Sequence, residues 1–130
     1  MLNFELEPFE WQMSMNVIME NVDLEKIEFA SGNSVLFNFS DTCGVFSHKK
    51  LLCTNVWKFS FANNLDERDT SPLFIGDVRV TELMDVDVKS AFDYVKYEFA
   101  DIPISDKYTL VCMDSGEIHI ILICQTVSEQ

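Results

Sequence analysis

The chain has 130 residues, with 22 acidic and nine basic side chains, and a formal net charge of −13 at pH 7. Hydrophobic residues make up 48% of it, so a core forms and the acids sit outside it: disorder needs high charge together with low hydrophobicity, and unpaired carboxylates are costly to bury. The charge excludes binding driven by phosphate neutralisation and disfavours anionic membrane surfaces, while it attracts a basic protein.

The opening residues Met1 to Glu5 have neither a basic n-region nor an apolar h-region, so a cytoplasmic protein is expected. Leu2, Phe4 and Leu6 alternate with polar residues, as do Met13, Met15, Val17 and Met19. Each alternation predicts a half-buried strand. A helix over Glu7 to Glu20 is the weaker option, opposed by Pro8 and the alternating methionines. Phe9 and Trp11 could mark an interface, although a core Trp at a strand edge is commoner. Asn21 to Asp23, Ser31-Gly32-Asn33 and Asp41 to Gly44 carry turn chemistry.

Val35, Phe37 and Phe39 predict the next strand. Leu51, Cys53, Trp57, Phe59 and Phe61 predict a long one interrupted by Asn55, and Phe74, Val78 and Val80 another around Gly76. Then the period changes. Val88, Ala91, Phe92, Val95 and Phe99 fall at helical spacing. A helix near 86–99 is expected, capped by Asp85 or Asp87, stopped before Pro103 and packed through Val88, Phe92 and Val95. The chain closes on a hairpin. A turn at Ser115-Gly116 would set Cys112 opposite His119, Leu110 opposite Ile121 and Tyr108 opposite Ile123. Val111, Met113, Ile118, Ile120, Leu122 and Cys124 fall on the other face, so both faces are apolar and the hairpin is central.

No repeat or linker interrupts the chain, and residues 1–130 are expected to form a single domain. The expected fold is α+β: a mainly antiparallel sheet, strongly bent or two-layered, with one main helix packed on it.

The candidate chemistry is sparse. Cys43, His48 and Cys53, and Cys112, His119 and Cys124, are loose clusters without the close cysteine pair that structural zinc favours. Ser47 and His48 are adjacent, which on a strand points them to opposite faces, and no nucleophile elbow or phosphate-cradling Gly-rich loop is present. Asp66-Glu67-Arg68-Asp69 and Asp85 with Asp87 lack the spacing of a calcium loop. No enzyme activity, metal or other cofactor is expected. Cys43, Cys53, Cys112 and Cys124 are expected as free thiols.

The acidic balance, the strand from Leu51 to Phe61, the Gly76-Asp-Val-Arg-Val80 lead into the helix and the closing hairpin from Asp114 to Ile120 together resemble the immunity proteins of bacterial toxin systems. That resemblance implies an acidic protein that caps a basic, nuclease-type toxin domain and blocks its active site. The expected partner is a basic protein, with no direct nucleic-acid or membrane binding. The acids best placed in loops or at the helix start are Asp66, Glu67, Asp69, Asp85 and Asp87, with Asp101 and Asp106 at the helix exit. The same charge fits two alternatives: a phage-type DNA mimic that inhibits a DNA-binding enzyme, and a self-associating adaptor or structural subunit.

Overall fold

The alternating residues pair into one sheet that closes on itself. A computed structural model describes residues 15–41, 48–63, 73–115 and 118–130. Its strands are β1 (Asn16–Ala30), β2 (Ser34–Asp41), β3 (Lys49–Asn63), β4 (Leu73–Glu82), β5 (Thr109–Asp114) and β6 (Ile118–Glu129), with helix α1 (Asp85–Tyr94) between β4 and β5. Every pairing is antiparallel, and the order β1-β2-β3-β6-β5-β4 closes through β4 against β1.

Closure rests on two long strands. β1 spends residues 16–24 on β4 and residues 22–30 on β2. β3 pairs with β2 over 49–53 and with β6 over 51–63. Such staggered pairing is what lets a sheet of tilted strands curl into a barrel and lose its edges. The interior is packed with Val22, Leu24, Phe37, Phe39, Leu51, Ile75, Val78, Val111, Met113, Ile120 and Leu122. Burying these side chains supplies the main driving force for the fold.

Three register shifts redirect side chains. The shift between Val17 and Met19 leaves Met15 outside the wall and Met19 inside it. A second lies between Leu24 and Lys26. The third, between Val56 and Lys58, follows Asn55, whose φ is 53°. It turns Val56 and Phe59 towards the interior and Trp57 outwards. Bulges of this kind bend the strand and increase its twist.

The expected bent or two-layered sheet carrying one main helix is therefore corrected to a closed barrel. Alternation identifies a strand's two faces but not its neighbours, so it does not distinguish an open sheet from a closed one. Asn21 to Asp23, read as a turn, lies inside β1, where Asn21 takes φ 53° without breaking the strand. The β1–β2 turn does fall at Ser31-Gly32-Asn33, with left-handed φ at Gly32 and Asn33. The helix ends earlier than its period suggests. Lys96 adopts φ 58°, Tyr97 N–H donates to Phe92 O at 3.0 Å and Lys96 N–H to Asp93 O at 3.1 Å, a Schellman closure that leaves Phe99 outside. The N-cap is Met84. Asp85 and Asp87 instead occupy the first turn, where they complement the helix dipole.

In the β5–β6 hairpin, Cys112 faces Ile121 and Asp114 faces His119, which corrects the register expected from a Ser115-Gly116 turn. Ser115 N–H donates to Ile118 O at 2.9 Å, so the two strands approach one residue beyond that turn. The change is even, so each side chain keeps its face. Val111, Met113, Ile120 and Leu122 point into the barrel, and Leu110, Cys112, Ile121 and Ile123 meet α1 outside. The expected strand at Leu2–Leu6, Phe9, Trp11, Met13, Cys43 and Ser47 lie outside the described residues.

Among the described residues no helix is long and apolar enough to cross a membrane. The barrel has an apolar interior and carries Glu20, Glu25, Lys26 and Lys50 exposed on its strands, the reverse of a lipid-embedded barrel.

Candidate partner-binding surface

Between β4 and β5 the chain leaves the barrel for residues 83–108 and returns beside its own departure point: Leu83 N–H donates to Tyr108 O at 2.8 Å. Val88, Ala91, Phe92 and Val95 bury one face of α1 against Leu110, Cys112, Ile121 and Ile123. Phe92 sits in an aromatic nest, its ring 4.9 Å from Tyr97, 5.9 Å from Tyr108 and 6.2 Å from Trp57.

The return limb is tied down by one phenol. The Tyr108 hydroxyl donates to Pro103 O and accepts from Ser105 N–H at 3.1 Å. Those two partners flank Ile104, whose relative exposure is 101%. A large aliphatic side chain is thus held fully in solvent by backbone that is itself fixed. Ser105 Oγ donates to Lys107 O at 2.9 Å, and Gln125 Nε2 donates to Asp106 Oδ1 at 3.1 Å, so Asp106 is held as well. Phe99 is 72% exposed and leans edge-on to Tyr97. Met84 and Val86 are exposed at the start of α1.

Of the acids expected to meet a partner, Asp85, Asp101 and Asp106 are exposed on this excursion, whereas Asp87 is only 8% exposed and offers little carboxylate to a second molecule. Asp66, Glu67 and Asp69 lie outside the described residues. Of the apolar members, Met84, Val86 and Ile104 are missing from the sequence reading, and Phe99 appears there only as part of the helical stripe. Ile104 had a signal: a large apolar residue between Pro103 and Ser105 that belongs to neither period.

A second feature adjoins the first. Phe29, Ala30, Asn33, Ser34, Val35, Val56, Trp57, Lys58 and Phe59 line a groove of about 270 Å³. It opens where β2 runs out. Val56 N–H donates to Asn33 O at 2.7 Å, and beyond that bond β3 continues to Asn63 paired only with β6 among the described strands. Phe59 stacks on Phe37 below and meets Phe29 edge-on at 5.7 Å above. Lys58 Nζ lies 3.8 Å from Glu98, joining the groove wall to the excursion.

Asp77, Asp114 and His119 form a row across β4, β5 and β6. Asp114 Oδ1 hydrogen-bonds His119 Nδ1, and Arg79 Nη2 donates to Asp77 Oδ2 at 3.1 Å, which raises the guanidinium pKa further. Burial, then the nearby Cys112 and Asp114, raise the Tyr94 phenol. The loose cysteine and histidine groupings of the sequence separate among the described residues. Cys53 and Cys124 lie inside the barrel, His48 is exposed, and Cys112 lies outside the wall against α1. Among the described residues no three His, Cys, Asp or Glu side chains converge as a metal site would require.

No curated protein matches the chain. Among solved structures, it is similar to an uncharacterized protein from Neisseria gonorrhoeae, at 23% identity and a TM-score of 0.60, over 89% of this chain and 96% of that one. At that identity the likeness is one of fold. Residues 17–130 match a family model whose description reads only "-like", and the chain belongs to that family.

Proposed function

We propose that the protein is an acidic binding protein of the cytoplasm that neutralises a basic protein partner, a nuclease-type toxin domain, and performs no catalysis of its own. The observation that carries this reading is Ile104, fully exposed yet pinned through Tyr108 on both of its flanks, between Asp101 and Asp106. An apolar anchor held in place in advance costs little ordering entropy when it docks. Acids around it steer a basic partner and set its orientation. Phe99, Met84 and Val86 enlarge the apolar contact, and Asp85 extends the acidic rim. A nuclease surface must be basic to hold phosphates, so an acidic patch competes for the same groups.

Affinity capture of the tagged chain from its source cells at low salt, followed by an activity assay of the captured protein, tests the reading. The expected partner is basic and loses its activity on stoichiometric addition of the chain. Asp85→Asn, Asp101→Asn and Asp106→Asn combined should slow association and flatten its salt dependence, while Ile104→Ser should speed dissociation. Recovery of a DNA-modifying enzyme would move the reading to a DNA mimic. Recovery of a stable oligomer of the chain alone would overturn it in favour of a structural subunit.

A further inference from the structure

We propose that the edge of β3 over residues 57–62, which on its side away from β6 pairs with no strand among the described residues, is a docking site at which an extended segment of a basic protein adds a strand and seats an apolar side chain in the adjoining groove. Two observations meet there. First, β3 is in strand conformation through Asn63, and past Val56 its side away from β6 meets no described strand. Main-chain donors and acceptors in strand spacing are satisfied by another extended chain, which is the physics of strand addition. Second, the groove of about 270 Å³ lies directly beside that edge, with Phe29, Val35, Val56 and Phe59 as its apolar lining. In an added strand every second side chain points to the same face, so one residue enters the groove as the backbone pairs.

Protein edges are normally blunted by proline, free lysine or a bulge. Trp57-Lys-Phe-Ser-Phe-Ala62 contains no proline, its lysine is engaged by Glu98, and the register shift falls at the start of the stretch. Phe29 is 71% exposed at the groove mouth, where an incoming side chain would cover it. The occupant's charge follows from the net charge of −13: lysine or arginine at the outward positions of the added strand is attracted to such a surface and acid is repelled.

The test is an NMR titration of the full chain with a synthetic decapeptide that alternates Lys with Val around a central Phe. The expected result is amide shifts and slowed hydrogen exchange at residues 57–62, with smaller shifts at Phe29 and Asn33. The same peptide N-methylated at alternate residues should bind about tenfold more weakly, because it cannot complete the ladder. Phe29→Asp, which alters a mostly exposed side chain, should weaken binding of the parent peptide about tenfold while the spectrum stays folded. Equal binding of the N-methylated peptide, or no shift at 57–62 with millimolar parent peptide, overturns the proposal. Shifts confined to residues 83–108 also overturn it, and leave the reading of the α1 surface standing.

Discussion

Asp77 stands directly opposite Asp114 across β4 and β5, and Asp77 Oδ1 is buried without a hydrogen-bond partner. Like charges facing each other across a strand pair repel, and a buried acceptor left unmade costs free energy. Arg79 and His119 offset part of this from either side of the pair. Asp77→Asn keeps an oxygen for Arg79 and removes one of the two facing charges. The expected outcome is a gain of about 0.5–1 kcal/mol at pH 7, read as a higher urea midpoint with an unchanged slope.

The aromatic nest on the outer wall predicts the largest loss. Phe92 is 1% exposed and touches Trp57, Tyr97 and Tyr108. Phe92→Ala should cost about 3–5 kcal/mol through lost burial and the cavity left behind. Equilibrium unfolding followed by tryptophan fluorescence would measure it. The barrel interior, packed separately, should keep its exchange protection longer than α1.

The thiols should make stability fall in alkali. Burial, and then Asp114, push the Cys112 thiol up to about 12 from its ordinary 9.0. The Cys124 thiol is raised too, by its hydrogen bond to Cys53 and by burial. A raised acid holds its proton in the folded state after the unfolded chain has lost it. Its contribution is therefore complete below about pH 9 and is lost as pH climbs towards 12. Each such thiol steepens the decline by about 1.4 kcal/mol per pH unit in that window. Cys112→Ala should flatten the curve of unfolding free energy against pH above 9, which urea melts across that range would show.

The same shift predicts a slow thiol at neutral pH. With the Cys112 thiol near 12, roughly one molecule in ten thousand carries the thiolate at pH 8. Iodoacetamide should label Cys53, Cys112 and Cys124 slowly in the native protein and quickly in urea. Peptide mass spectrometry of timed reactions checks this, and fast native labelling of Cys112 would contradict it.

Ile104 separates stability from binding. Because the side chain is fully exposed, Ile104→Ser should change folding free energy by less than about 0.5 kcal/mol. The same variant should lose partner affinity. Tyr108→Phe removes the hydroxyl that holds Pro103 and Ser105, and should weaken the partner through loosening of the loop even though Ile104 is intact. Paired calorimetric melts and binding titrations would resolve the two effects.

The period-two runs of Val35-Phe37-Phe39 and Leu51-Cys53, the turn at Ser31-Gly32-Asn33 and the two apolar faces of the closing hairpin are local properties. They follow from side-chain alternation and turn chemistry, and the sequence by itself determined them. So was the helical stripe of Val88, Ala91, Phe92 and Val95, all of it buried in the fold. Closure was decided elsewhere. It depends on β4 finding β1 across about 40 residues of intervening chain and on register shifts between Val17 and Met19 and between Val56 and Lys58, and no local period encodes a partner so distant. The candidate surface divides in the same way. Asp85, Asp101 and Asp106 were legible because acids excluded from a core must lie outside it. The exposure of Ile104 and Phe99 was not, because hydrophobicity argues for burial until the return limb is seen tied through Tyr108 and the Schellman turn at Lys96 leaves both side chains outside the nest.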